Sequence, residues 1–260
     1  QLTEGAGNFD MFRFLEREGA TINIEPVAGF LQYLLGKVVR RHKLRKTVIH
    51  RRGVEHPWQL GKKLRNRIAF QKKLSYQKLA IALFRGQYLK LLKALGGDYH
   101  MLLKQTMLED LGDPYYNRNI EGSEGYMEVA KNIYYHEKNL AHMVLSLKPF
   151  GCLPSTQSDG TQAKVIEKYK NIIFLPIETA GDGKTNAHSR VLMSLGDARA
   201  KSKVEYKEAL ENVSHSLEEM RDYVEEHPEL KKPSYVLPHH YGVANRAASF
   251  IYHVEERMNS

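Results

Sequence analysis

A chain of 260 residues with 42% apolar side chains and a formal charge of +9 is long enough to bury one large core or two small ones. Its longest apolar runs are far too short to span a bilayer, and its first residues form neither a basic nor an apolar leader, so the expected setting is the cytoplasm, without a membrane partner. The single cysteine, Cys152, excludes an internal disulfide and suits a reducing compartment.

The chain opens at Gln1 without methionine, and Leu2-Thr3 reads as the end of a strand that begins upstream in a longer polypeptide. Phe9, Phe12, Phe14 and Leu15 fall near helical spacing, with Gly19 closing the element as a C-cap. Thr21 to Glu25 alternates apolar and polar as a strand does, and Pro26 opens a second helix through Phe30, Leu31, Leu34, Leu35 and Val38. Strand, helix, strand, helix is the rhythm of a parallel α/β sheet.

From Lys37 to Lys73, fourteen lysines and arginines face Glu55 alone, which calls for an anionic partner or a great deal of water. Helical patterns dominate up to Met107, with Leu60, Leu64 and Ile68 in one and Leu79, Leu83, Leu91, Leu92 and Leu95 in another, so a helical insertion is expected at about 40–112. A nucleic-acid surface is disfavoured, because Trp58 and Phe70 are the only aromatics offered for base stacking beside those cations. A solvated cationic face is the simpler account.

Helices expected at His100 to Leu111 and Tyr126 to Lys138 deliver the chain to its central stretch. There the apolar run His142 to Leu147 breaks at Lys148 to Gly160 and resumes as a helix from Thr161 to Lys170. A second run, Ile172 to Ile177, breaks at Glu178 to Gly183 before a helix from Asn186 to Ala200. If the two runs are neighbouring parallel strands, both loops leave the carboxyl edge, where open α/β sheets place their ligands. A charged helical tract follows to about Glu226, then a linker from His227 to Pro238 and a last helix from His239 to Met258. The expected division is an α/β module at 1–226 and a linker with its helix at 227–260.

Cys152 sits in a Gly-Cys-Leu-Pro turn close to a helix start, where unpaired N–H groups and the positive dipole end favour a thiolate and hence a metal or cluster ligand. A small buried apolar residue is the simpler alternative. Ser155, Asp159 and Gly160 belong to a turn that can hold a phosphate or carboxylate, or merely cap the helix. Glu178 and Asp182 suit acid–base work or the bonding of loop N–H groups. His188 and Arg190 can point back over the same rim or form an exposed helix face. No Walker motif, nucleophile elbow or zinc-ligand spacing accompanies them.

The string Leu147 to Gly160, followed by Phe174 to Gly183 and then Asn186-Ala187-His188-Ser189-Arg190, resembles the C-terminal part of the large activase-related proteins of the 2-hydroxyacyl-CoA dehydratase and benzoyl-CoA reductase superfamily. Thr3 to Asn8 and Glu121 to Lys131 fit the same family, so the resemblance spans most of residues 1–200 and is weaker in the basic insertion and the tail. It implies an α/β module of Rossmann-like, mostly parallel topology, with a helical insertion and tail, whose loop cysteine helps hold an iron–sulfur cluster such as 4Fe-4S. It also implies an activase-type ATPase, on an upstream domain or partner subunit, that uses ATP to deliver low-potential electrons to acyl-CoA thioesters or related small molecules. Cys152 takes the cluster-ligand position, with Ser155, Asp159 and Gly160 beside it and Glu178, Asp182, His188 and Arg190 lining the site. One thiolate does not hold such a cluster alone, so the other ligands belong to further sequence or a partner. The alternative is a non-catalytic scaffold that docks the ATPase.

Overall fold

The computed structural model describes residues 5–51, 60–96, 102–120, 125–181, 183–239 and 242–260. It divides into two units, one made of Gln1–Ile24 and Thr106–Ser260, the other of Glu25–Gln105. The protein is mostly helical, with one two-stranded parallel sheet among the described residues.

In the first unit a short 3-10 turn, Ala6–Asn8, leads into α1 (Met11–Arg17). Phe9 and Asp10 both adopt the left-handed region between them. The α1 helix ends as expected at Gly19, whose φ of 77° no β-branched side chain would take readily. Thr21 to Glu25 forms no strand, contrary to its alternation. Ile22 packs on the core but Ile24 is 45% exposed, and Pro26 removes a ladder donor where the segment ends. The Leu2-Thr3 segment lies outside the described residues.

The second unit is a hairpin of long helices, α2 (Val27–Arg51) and α3 (Leu60–Ala94); it starts ahead of the helical insertion expected at about 40–112 and takes in the helix expected after Pro26 as part of the α/β rhythm. Phe70 stacks on His42 with ring centroids 4.4 Å apart, and Arg85 donates to Gln32 at 2.7 Å and to the Leu102 carbonyl at 3.1 Å. The first unit then continues with α4 (Gln105–Gly112), α5 (Gly125–Glu137), β1 (Val144–Pro149), α6 (Leu153–Lys168), β2 (Phe174–Thr179), α7 (Lys184–Asn212), α8 (Leu217–Glu226) and α9 (Arg246–Met258).

The strands pair in register from Val144 opposite Phe174 to Pro149 opposite Thr179. Alternation sends Leu145, Leu147, Leu175 and Ile177 to one face, where they meet Met11, Leu15, Val191 and Leu195 of α1 and α7. The opposite face, bearing Lys148, is covered by α5 and α6. A second core at the chain's end joins Ala209 of α7, Met220 of α8 and Ala248, Ile251 and Val254 of α9. The 29 residues of α7 therefore serve both cores. Between them, Glu205 accepts from His142 at 2.9 Å, Asn139 at 2.8 Å and the N–H groups of Ala244 and Asn245 at 3.0 and 2.9 Å.

The α6 boundary corrects the sequence reading. The helix starts at Leu153, not Thr161, so Ser155, Asp159 and Gly160 lie in its first turns instead of in a loop. Pro154 in the first turn gives up a donor that has no helical partner there anyway, and Ser158 turns its hydroxyl to the Ser155 carbonyl at 2.8 Å. A run of Pro, Ser, Thr and Gly that looks like a loop is thus a helix start, with Pro at a position that needs no donor and hydroxyls turned back to helix carbonyls.

Candidate functional site

The carboxyl ends of β1 and β2 lie side by side, with Lys148 opposite Glu178, and both following loops leave the same edge. The two loops are tied together: the Phe150 N–H donates to the Thr179 carbonyl at 3.5 Å, and the Thr179 hydroxyl donates to the Lys148 carbonyl at 3.2 Å. Gly151 makes the turn out of β1 with φ 71°, and Cys152 follows in extended conformation as the N-cap of α6. Its thiol is free and half-buried, and it caps nothing with its side chain. Near it in the chain Phe150 and Leu153 are 73% and 70% exposed, so the turn that carries the thiol presents two apolar side chains to solvent.

Behind this turn lies a charged cluster of which the sequence-based set contained Asp159 but neither Lys148 nor Glu128. Lys148 is 2% exposed, and its ammonium contacts Asp159 of α6 and, at 3.4 Å, Glu128 of α5. Burial pushes the Glu128 carboxyl above its ordinary range, and the neighbouring Asp159 adds to that; the Lys148 ammonium opposes it without prevailing. One helical turn further along the same seam, Asn132 donates to Gln162 at 2.8 Å, leaving the Asn132 oxygen and the Gln162 nitrogen buried without protein partners. The starts of α5 and α6 abut so closely that a Cβ on Gly125 would meet the Pro154 carbonyl at 3.1 Å and the Tyr116 hydroxyl at 3.0 Å. A lysine closing an apolar strand was the one available sequence signal. Its partners stand 20 residues before and 11 after it, and only the fold brings them together.

The remaining predicted residues divide between two settings. Glu178 is exposed at the end of β2. His188 stacks on Phe14 with centroids 3.9 Å apart, and its Nε2–H donates to the Phe9 carbonyl at 2.8 Å. Arg190 donates to the Pro176 carbonyl at 3.0 Å. These two side chains hold the frame around β2. Asp182 lies outside the described residues. Gly183, the N-cap of α7, packs near the Phe9 ring.

Compared with family models, curated proteins and solved structures, the chain matches none. Among the described residues no three His, Cys, Asp or Glu side chains converge as a metal site, and no helix is long and apolar enough to cross a membrane. With one thiol in the whole chain, the residues present do not make a self-contained iron–sulfur site. A cluster bound here would take Cys152 as one ligand and the rest from elsewhere.

Proposed function

We propose that this chain is an iron–sulfur-associated module of an ATP-dependent, low-potential electron-transfer system acting on acyl-CoA thioesters or related small molecules, with the β1–α6–β2 unit forming part of a Rossmann-like module. The observation that supports this reading most is the adjacency of the Cys152 turn and the Glu178 turn on one lip of neighbouring parallel strands, in the motifs that resemble the activase-related family. A half-buried thiol in a turn that exposes Phe150 and Leu153 suits a ligand that is completed and covered by another polypeptide.

In this reading Cys152 supplies one thiolate, and an activase-type ATPase domain or subunit supplies the electrons. A bound cluster would provide the one-electron chemistry. The chain's own side chains position and protect. Lys148, clamped by Glu128 and Asp159, fixes the end of β1 and with it the approach of Cys152. Arg190 fixes the backbone just before the acidic turn at Pro176, and His188 holds the Phe9 carbonyl of the N-terminal segment. Glu178, exposed on the lip, is the group placed to hold or release a proton at its carboxylate oxygens.

Anaerobic reconstitution with iron and sulfide of this chain together with the sequence or partner subunit that supplies the remaining ligands, followed by iron and acid-labile sulfide assays, tests the assignment. The wild-type protein is expected to retain iron and Cys152→Ser to lose it while keeping its circular dichroism spectrum. Equal iron in the two proteins removes Cys152 from the site.

A further inference from the structure

Both helices of the hairpin carry a second apolar face. On α3, Phe70 and Arg85 mark the side turned to α2, and Leu92 is buried. Leu64, Ile68, Tyr76, Leu79 and Leu83 are nevertheless between 55% and 61% exposed. At 3.6 residues per turn these five fall in one sector about 120° wide, on the side opposite Phe70. On α2, Gln32 faces inward to Arg85, while Val27, Phe30, Leu31, Leu34 and Val38 form an outward stripe between 39% and 57% exposed. The hairpin thus has an apolar stripe on each outer side, far more than isolated surface leucines account for.

The charge around these stripes has one sign. Seven lysines and arginines lie in α2 and ten in α3, and neither helix contains an aspartate or glutamate. We propose that the outer faces of this hairpin dock a partner protein that presents acidic amphipathic helices, leucine-rich on one side and carboxylate-rich at its margins. A second copy of the hairpin would bring like charge against like charge. A nucleic acid would neutralise the cations but leave the leucines in water. A flat anionic membrane reaches only one of two opposed stripes. An acidic helix on each side satisfies both the apolar and the electrostatic demand.

The test uses the full chain and three labelled synthetic peptides, each as long as α3: a Leu/Glu amphipathic helix, its Leu/Lys counterpart and its Ser/Glu counterpart. Phosphatidylserine vesicles and a poly(U) oligomer serve as competing classes. Fluorescence anisotropy is expected to show salt-sensitive binding of the Leu/Glu peptide, with the other two peptides about tenfold weaker or worse. The exposed-face variant Ile68→Ser/Leu79→Ser/Leu83→Ser is expected to weaken binding by at least about tenfold without loss of helical circular dichroism. Lys72→Gln/Lys73→Gln/Lys78→Gln, which leaves the stripe whole, should weaken it too, and it decides the matter if the serine variant misfolds. The proposal is overturned if the Leu/Glu peptide does not bind, if both variants bind it as the parent does, if vesicles or poly(U) bind more tightly, or if sedimentation shows the hairpin faces consumed in a dimer.

Discussion

Lys148 is the residue on which the rim depends. A buried ammonium between two carboxylates is an arrangement whose removal leaves charge without compensation, so Lys148→Ala is expected to cost about 3 kcal/mol in urea unfolding. Lys148→Ala combined with Glu128→Gln should recover part of that loss, because fewer stranded charges remain. Glu255 supplies a pH test. Burial works against its ionisation, but hydrogen bonds from His215, the Ser214 and His215 N–H groups and Asn259 together bring it down to about 2 from an ordinary 4.5. A depressed carboxyl stabilises the fold in full above its ordinary value and loses that contribution as pH falls through the folded one. Stability should therefore decline between pH 4.5 and about 2, and Glu255→Gln should flatten that decline while lowering stability at neutral pH; urea midpoints across the range check it.

Among the elements, the abutting starts of α5 and α6 are the tightest junction near the site. Gly125→Ala places a methyl group against the Pro154 carbonyl, a backbone atom that cannot swing away, and is expected to cost about 1–3 kcal/mol in urea unfolding. It is also expected to change the rate at which a thiol reagent reaches Cys152, measured on the native protein. Both strands were legible in the sequence to within a few residues, as were α1, α5 and the start of α7, because each carries a clean period and α1 a recognisable stop at Gly19; the end of α7 at Asn212, twelve residues beyond the expected Ala200, was not. The start of α6 was not, because Pro154 through Gly160 has the composition of a loop, and its hydroxyls turn back to helix carbonyls instead of competing with the backbone ladder. Thr21 to Glu25 misled in the other direction, since alternation is a strand signal only when a partner strand exists to receive it. Of the site, the placement of Cys152 beside Glu178 could be read from two strand–loop–helix repeats. Glu128 could not, since its role depends on a lysine on another element.

At the scale of the molecule, the buried residues of the two cores described above all lie outside Glu25–Gln105. Replacing residues 25–105 with a flexible Gly/Ser linker of about ten residues is therefore expected to leave a cooperatively unfolding protein with an accessible thiol. Differential scanning calorimetry and a thiol titration check it. Loss of cooperative unfolding would mean that the first unit leans on the hairpin for its stability.

The long α7 has a mechanical consequence. Its leading turns are gripped by the sheet and α1, its trailing turns by α8 and α9, and Glu205 pins the shaft between them. A rod clamped at both ends transmits rather than absorbs. Strain applied at the far bundle, by a ligand or a neighbouring protein, would arrive at Gly183 as a shift of the acidic turn, some 40 Å from where it began, given about 1.5 Å of rise for each of the 29 residues.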